Sequence, residues 1–313
     1  MSVATFRHDA AVFSSPERMA ATVAPFLDEA VEAGIPTLVR LEDDLADLVR
    51  ESLATPDAVG FVGGASEANP LRAIREMNEA AMARLDAGVE QIRLIGCAPR
   101  ASRATPQAWE QWARYEAAYN QMYAGLPLWG ICCYDVPPPE HALDDILATH
   151  PRMLDEDGTW RQSEAYVDPH RWLADRSAAS VERLDGTAPA FELAEPQLGQ
   201  AREAVARLAV EAGLAADRVD DLVLAVNEVV TNAYRHGRPP VTLRGWRSEE
   251  GVLVAVEDRG TGVADALAGM APPPHDDRTL GGRGVRLARL CSDLMTLRRE
   301  RDRFTVRLAS WAR

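Results

Sequence analysis

The sequence of 313 residues contains no lysine, so all 34 of its Lys and Arg positions are arginine. We attribute this bias to genome composition, but it has one chemical consequence. Any contact between a cationic side chain and a phosphate must use the planar guanidinium fork of arginine. A Walker A loop, which ends in Gly-Lys-Ser/Thr, is therefore excluded.

The sequence also lacks a long hydrophobic run. No stretch approaches the roughly 18 apolar residues that a membrane-spanning helix needs, and the start, MSVATFRHDA, has no basic segment followed by an apolar one, so we expect no signal peptide. The simplest expectation is a cytoplasmic protein without a membrane partner. Its net charge of -14 repels nucleic-acid phosphates and argues against direct nucleic-acid binding.

Cysteines are few, and none forms a C-x-x-C pair. The four are Cys97, Cys132, Cys133 and Cys291, and a cytosolic chain would keep them reduced. Cys97, Cys132 and Cys133 are able to meet at neighbouring strand ends, where they would bind a metal or sense redox state. Free cysteines are usually buried core residues, so we expect that simpler role.

The first half alternates apolar runs with helical patterns, and this alternation predicts an α/β domain with a mostly parallel sheet. Cap residues followed by proline predict helices beginning at Asn69-Pro70 and Thr105-Pro106. The predicted strands are Ile35–Leu41, Val59–Val62, Gln91–Cys97 and Leu128–Tyr134, and the predicted helices are Asp43–Ser52, Asn69–Leu85, Thr105–Tyr123 and Glu140–His150. The region from Pro151 to Thr187 is poor in periodicity, so we place a domain boundary there.

The second half predicts an α+β sandwich, with an antiparallel sheet and helices on one face. A Gly/Pro-rich loop from Asp258 to Arg283 interrupts the pattern. The predicted strands are Phe191–Ala194, Val241–Trp246, Val252–Glu257, Leu294–Arg299 and Arg303–Leu308, and the predicted helices are Pro196–Ala212, Asp217–His236 and Gly284–Asp293.

One helix of this second half carries polar residues on a single face. Glu228, Asn232 and His236 follow one another at intervals of four in LAVNEVVTNAYRHG, so they share that face. An amide oxygen is a hard neutral ligand for Mg²⁺, and a carboxylate is able to accept a proton from a water or hydroxyl. Taken alone, this stripe is more typical of a solvated helix face.

Two glycine-rich segments follow the helix. In Val256–Gly262 an apolar strand ends in the motif Asp-x-Gly-x-Gly. The Asp carboxylate of this motif is able to accept a hydrogen bond from an exocyclic amine such as that of adenine. The two glycines allow the backbone to pass close to a flat ring. In Leu280–Val285, glycines precede a helix, whose backbone N–H groups and dipole make a phosphate cradle. Arg283 and Arg286 are candidates for a charged contact there. Each segment alone is also compatible with an ordinary turn.

The order of the three segments is far more specific than any one of them. It resembles the GHKL superfamily, whose ATP-binding domain is of the Bergerat type and occurs in histidine kinases, anti-sigma-factor kinases, Hsp90 and type II topoisomerases. By this resemblance Glu228 and Asn232 match the N box, and both glycine boxes are present. The cofactor-binding residues that it implies for ATP and Mg²⁺ are Asn232, Arg235, His236, Asp258, Gly260, Gly262, Gly282, Arg283 and Gly284, with Asn232 also the magnesium ligand.

Within the superfamily, NEVVTNAYRHG resembles the anti-sigma-factor serine kinases of the RsbA/RsbW type. The resemblance implies ATP-dependent phosphorylation of a serine on an anti-anti-sigma (STAS-type) partner, with Glu228 as the catalytic base, sequestration of a sigma factor, and a homodimer. Two alternatives stay open: a histidine-kinase-like output domain acting in trans, and a non-catalytic ATP-dependent sequestering module. The first is less favoured because His150 and His170 both adjoin proline and lie in no long helix.

The N-terminal half resembles the MEDS sensory domain, a KaiC/RecA-like module. The matching segments are FRHDAAVFSSPERMAATVAPFLDEAVEAGIPTLV, YEAAYNQMYAGLPLWGICCYD and THPRML. We therefore predict a MEDS-like domain over residues 1–175, a linker over 176–190 and a GHKL domain over 191–313. The family's opening Gly and Tyr are replaced here, so a structural role for His8 is at least as favoured as a ligand role.

The helix predicted from Thr105 carries aromatic residues at helical spacing. They are Trp109, Trp112, Tyr115, Tyr119 and Tyr123. This spacing is typical of a packed helix face. The alternative is an aromatic pocket for a small-molecule ligand of the sensory domain.

Overall fold

The computed structural model describes residues 6–63, 69–135, 140–175, 187–248, 250–263, 265, 267–270 and 283–312. Its residue contacts separate two compact units, Met1–Leu173 and Ala174–Arg313. Within the described residues, no helix has both the length and the apolar character needed to cross a membrane.

The first unit is built on a seven-stranded, mostly parallel sheet with the order β3-β2-β4-β5-β1-β6-β7. Only the β6–β7 pair is antiparallel among the pairs of this sheet in the described residues. The strands are β1 (Arg7–Phe13), β2 (Thr37–Arg40), β3 (Gly60–Phe61), β4 (Ile92–Cys97), β5 (Leu128–Asp135), β6 (Arg152–Leu154) and β7 (Trp160–Gln162). The predicted α/β class with a mostly parallel sheet is confirmed.

Three helices of the first unit begin where a short polar side chain caps them. The side chains of Ser15, Asn69 and Thr105 each accept a hydrogen bond from the first turn that follows, and a proline stands next in each case, the arrangement that favours a helix start. The helices are α1 (Pro16–Glu32), α2 (Asp43–Ser52), α3 (Pro70–Ala73), α4 (Arg75–Asp86), α5 (Arg100–Arg103), α6 (Pro106–Met122), α7 (Glu140–Thr149) and α8 (Pro169–Asp175).

Three features of the first unit differ from the sequence-based expectations. The helix predicted from Asn69 to Leu85 is divided at Ile74, which ends α3 and precedes α4. The β6–β7 hairpin lies inside the region from Pro151 to Thr187, whose poor periodicity led us to place a domain boundary there. Strand β1 was not predicted either, yet it pairs with β5 on one side and β6 on the other.

The second unit is a five-stranded antiparallel sheet with the order β11-β12-β10-β9-β8. Its strands are β8 (Phe191–Ala194), β9 (Thr242–Ser248), β10 (Gly251–Asp258), β11 (Leu294–Arg299) and β12 (Phe304–Trp311), and its helices are α9 (Leu198–Glu211), α10 (Ala216–His236) and α11 (Arg283–Leu290). All three helices contribute apolar side chains to one core cluster with the sheet. The predicted α+β sandwich is confirmed.

Candidate functional site

The candidate site of the second unit starts from α10, whose apolar face is fully packed. Leu222, Val226 and Val230 are almost completely buried in the core. Glu228 and Asn232 lie at the edge of that face and are half-buried. The core therefore holds the helix in place while both polar side chains remain accessible from one side.

Gly284, at the start of α11, lies directly against these two side chains. A Cβ added to Gly284 would lie 2.7 Å from Glu228 Oε2 and 3.2 Å from Asn232 Nδ2. The fold thus brings the predicted N box and the second glycine box together. It also places the Glu228 carboxylate beside a helix N-terminus, where the helix dipole stabilises negative charge.

Asp258 lies beside the C-terminal end of α10. It ends β10 and is only 5% exposed, and its Oδ1 accepts hydrogen bonds from the N–H groups of Gly260 at 2.6 Å and Arg238 at 3.3 Å. A Cβ on Gly237, which caps α10, would come within 2.5 Å of Asp258 Cγ. Gly237 is five residues beyond Asn232, which corresponds to about 7.5 Å along the helix axis.

Glycine is also required in the first glycine box. A Cβ on Gly260 would lie 2.7 Å from Asp258 Oδ1 and 2.8 Å from Gly237 Cα. Gly262 has a φ of 63° and faces the ring of Phe304, a backbone conformation in which glycine is the favoured residue. The two glycines hold the loop close to Asp258.

The segment 267–270 is bound to α11 by hydrogen bonds from two arginine side chains of that helix. Arg289 Nε donates to Ala268 O at 2.7 Å, and Arg286 Nη1 donates to Met270 O at 3.0 Å. Arg286, one of our two candidates for a charged contact, is thus engaged in anchoring this segment. This described segment after the first glycine box is thereby attached to α11.

The remaining predicted residues lie at the edge of this group or outside the described residues. The side chains of Arg235, His236 and Arg283 are exposed. Gly282 lies outside the described residues. Gly237 was missed, although its position after the predicted helix in RHG is the usual one for a C-capping glycine and was a usable signal.

The first unit contains a pocket beside α6. Its lining includes Trp112, Tyr115, Tyr119 and Arg40. Trp112 and Tyr115 are buried and Tyr119 is half-buried. The predicted aromatic stripe is therefore a packed helix face, and three of its residues also line this pocket.

The cysteines of the first unit divide between the two faces of the sheet. Cys97 and Cys133 belong to a core cluster, in agreement with the simpler role expected for them, whereas the half-buried Cys132 faces the pocket. A hydrogen bond with Cys97 and burial raise the pKa of the Cys133 thiol well above its usual value. Burial, followed by the nearby charge of Glu116, does the same for the pKa of the Cys132 thiol.

Comparison with known proteins assigns a family to each unit. Residues 7–151 match the family described as MEDS, the MEthanogen/methylotroph, DcmR Sensory domain. Residues 191–310 match the histidine kinase-like ATPase domain. The chain therefore carries an N-terminal MEDS domain followed by a histidine kinase-like ATPase domain, and both sequence-based resemblances are confirmed at this level.

One solved structure to which the chain is similar contains the RsbU and RsbW domains of a protein from Mycobacterium tuberculosis. The identity is 21%, the TM-score is 0.27, and the match covers 40% of this chain and 34% of that chain. No curated protein matches the sequence of this chain.

Proposed function

We propose that the second unit binds ATP with Mg²⁺ and acts as a protein serine kinase of the anti-sigma-factor type. The observation that carries the proposal is that Gly284 lies against Glu228 and Asn232 of α10, while Asp258 lies against Gly237, which caps the C-terminal end of the same helix. A Cβ at Gly284 or Gly260 would overlap the carboxylate of Glu228 or Asp258, so glycine is what lets the backbone lie this close to both carboxylates. The groups gathered there are those that an ATP–Mg²⁺ complex requires. The residues therefore fit this ligand.

Each residue has a proposed role. Both hydrogen bonds described for Asp258 end on Oδ1, which leaves its other carboxylate oxygen to accept the adenine amine. Asn232 would ligate Mg²⁺ through its amide oxygen. Backbone N–H groups at Gly262, Gly282 and Gly284 would contact the nucleotide, together with the exposed side chains of Arg235, His236 and Arg283. Gly260 would let the backbone pass close to the adenine ring.

Glu228 is the proposed catalytic base. Bound ATP supplies the phosphoryl group, and Glu228 accepts the proton of the attacking serine hydroxyl. The carboxylate is half-buried and lies at the N-terminus of α11, a position that still admits a partner's side chain.

The proposed partners are proteins, and the assignment rests on the N box of the second unit. The serine substrate would be an anti-anti-sigma (STAS-type) protein, and the bound target would be a sigma factor. A net charge of -14 favours a partner with a basic surface and disfavours direct nucleic-acid binding. We further propose that the protein is cytoplasmic and that its first unit is of the KaiC/RecA-like type. We also propose that the chain forms a homodimer, and sedimentation of the purified chain would test this oligomeric state.

Two other activities are compatible with the same ATP site. In a sequestering module ATP would be held without phosphotransfer, and the presence of Glu228 speaks against this because a pure binder needs no base. In a histidine-kinase-like output domain the acceptor would belong to another protein, since His150 is fully buried and His170 lies on the short helix α8. A phosphotransfer assay with serine- and histidine-containing partners separates the three.

Calorimetric titration of the full chain with ATP and Mg²⁺ tests the proposed site. We expect binding by the wild type, loss of binding in Asp258→Ala, and unchanged binding in Asp220→Ala, which removes an exposed carboxylate from α10. Equal binding by wild type and Asp258→Ala would refute the proposed adenine contact. If neither protein bound ATP, the proposed nucleotide site would be refuted, and only a sequestering role that needs no nucleotide would remain.

The first unit is proposed to bind a small molecule in its aromatic pocket. Arg40 is only 2% exposed and lines this pocket, and its Nε and Nη2 have no hydrogen-bond partner among the described residues. A buried guanidinium with unsatisfied donors favours a ligand that carries an oxygen acceptor or a negative charge. Thermal-shift screening with small carboxylates would test this: stabilisation should occur in wild type and disappear in Arg40→Met, whereas equal shifts in both proteins would contradict the assignment.

A further inference from the structure

Four potential metal ligands of the first unit come from four parts of the chain and meet beside the aromatic pocket. His8 is on β1, Glu116 on α6 and Cys132 on β5, and His150 directly follows α7. Their ligand atoms all lie within 4.8 Å of one another. We call these four residues the His–Glu–Cys cluster.

The sheet register and the helix spacing explain why the cluster forms. His8 pairs with Gly130, so His8 and Cys132, two residues further along β5, point to the same face of the sheet. Trp112, Glu116 and Asn120 recur every four residues on α6 and therefore share the helix face turned toward these strands. The geometry does not depend on an exposed loop.

Four of the six separations between the inward-facing atoms are close to those of a tetrahedral site. His8 Nε2 lies 3.1 Å from Glu116 Oε2 and 3.3 Å from Cys132 Sγ. Glu116 Oε2 lies 3.6 Å from Cys132 Sγ and 3.6 Å from His150 Nε2. Zinc bond lengths to N, O and S ligands in tetrahedral geometry imply ligand atoms about 3.3–3.6 Å apart.

Outer hydrogen bonds direct both imidazoles inward. His150 Nδ1 lies 2.8 Å from Ile146 O, and because a carbonyl oxygen only accepts, this nitrogen carries the proton. The amide of Asn120 donates through Nδ2 to Thr149 O at 2.6 Å and so presents Oδ1 to His8 Nδ1 at 3.3 Å. Both Nε2 lone pairs then face the centre of the cluster, the arrangement that metal-bound histidines adopt.

The carboxylate of Glu116 is oriented in the same way. Its Oε1 accepts hydrogen bonds from Trp112 Nε1 at 2.6 Å and Tyr134 OH at 3.0 Å. Oε2 therefore turns to the two histidines and to Cys132. In His8, Glu116 and His150, the polar side-chain atom that points away from the cluster therefore has a hydrogen-bond partner outside it.

With both imidazoles neutral, hydrogen bonds alone do not satisfy every atom of this arrangement. With both Nδ1 atoms protonated, two Nε2 lone pairs face one carboxylate oxygen, which is itself an acceptor. One shared proton would satisfy a single contact, and His150 Nε2 has no hydrogen-bond partner among the described residues. A cation at the centre would satisfy all four atoms at once.

The geometry points to a transition-metal site formed by His8, Glu116, Cys132 and His150, with Zn²⁺ as the best-matched ion. Two imidazoles, a thiolate and a carboxylate suit a borderline-soft divalent metal better than Mg²⁺ or Ca²⁺, which prefer oxygen ligands. Three of the four ligands line the pocket, which gives the ion a route to its site. This metal would be distinct from the Mg²⁺ proposed for the second unit, which has oxygen ligands.

Titration of the metal-depleted full chain with Co²⁺ tests the site, because a cobalt–thiolate bond gives a charge-transfer absorption band that Mg²⁺-type sites lack. We expect one equivalent to produce this band together with tetrahedral d–d bands, and Zn²⁺ to displace it. Cys132→Ala should abolish the charge-transfer band, whereas the matched control Cys133→Ala should retain it because that side chain lies on the opposite face of β5. Circular dichroism of each variant monitors its fold.

A positioning variant keeps the test decisive if Cys132→Ala fails to fold. Asn120→Ala retains all four ligands but removes the outer partner of His8, so the cobalt bands should remain while the Zn²⁺ affinity falls about 10–100-fold. Absence of a charge-transfer band in the wild type would overturn the inference. So would an unchanged band in folded Cys132→Ala or its loss in folded Cys133→Ala.

Discussion

Two glycines near helix starts provide a matched test of the nucleotide site at the scale of single residues. A Cβ on Gly284 would overlap the Glu228 carboxylate, whereas a Cβ on Gly199 would meet no atom within 4 Å. We expect Gly284→Ala to weaken ATP binding about tenfold, or about 1.4 kcal/mol, because it displaces Glu228 and Asn232. Gly199→Ala should leave ATP affinity unchanged and raise the free energy of unfolding by about 0.4–1 kcal/mol. Calorimetry and chemical denaturation measure both, and equal ATP affinities for the two variants would contradict the role of Gly284.

The proposed catalytic base is separable from the binding residues. Glu228→Gln keeps the size of the side chain and its hydrogen-bonding capacity but removes the proton acceptor, so ATP should still bind while serine phosphorylation falls at least about 100-fold. Asp217→Asn, an exposed change in the first turn of the same helix, serves as control. Phosphotransfer is measured with radiolabelled ATP and a STAS-type partner. Undiminished phosphorylation by Glu228→Gln would exclude Glu228 as the base.

At the scale of elements, α6 connects the capping of a helix to the site beside it. Thr105 Oγ1 accepts a hydrogen bond from Ala108 N at 3.1 Å, and the helix that it begins carries Glu116 and Asn120. Thr105→Ala should lower the free energy of unfolding of the first unit by about 1 kcal/mol, while Thr105→Ser, which keeps the cap, should lower it much less. Urea denaturation followed by tryptophan fluorescence measures the difference, and equal losses in both variants would show that the cap contributes little.

Elements with strong local signals were predictable, and those that depend on distant partners were not. The cap-and-proline signals at Asn69 and Thr105 predicted two helix starts correctly. Strand β1 contains His8 and Asp9, charged or polar residues that resemble a loop in sequence, and both are almost fully buried. Their partners, among them Glu116 and Arg152, lie more than one hundred residues away. No local pattern reports such pairing, and so the His–Glu–Cys cluster could not be predicted either.

The glycine-rich segments of the second unit, by contrast, were predictable from their order in the sequence. Three weak motifs in a fixed order predicted the neighbourhood of Glu228 and Gly284, because the order of elements in this fold determines which segments meet. The sequence did not predict that Gly237 packs against Asp258, since this contact joins the end of a helix to the end of a strand. The pattern thus indicated the kind of site, and the structure supplied its contacts.

At the scale of the whole molecule, the second unit has the core that an independent domain requires. Its main apolar cluster draws only on residues between 201 and 308, together with flanking residues of the same unit. We expect the chain lacking residues 1–175 to unfold in one cooperative transition and to bind ATP and Mg²⁺ as tightly as the full chain. ATP at about one hundred times its Kd should then stabilise it by about 2.7 kcal/mol, and Asp258→Ala in the same fragment should remove that gain. Thermal unfolding with and without ATP measures the effect.

Two results would contradict this expectation. An unfolded fragment would show that the two units are not independent. A folded fragment that ATP does not stabilise, while the full chain binds ATP, would show that ATP binding also depends on the first unit.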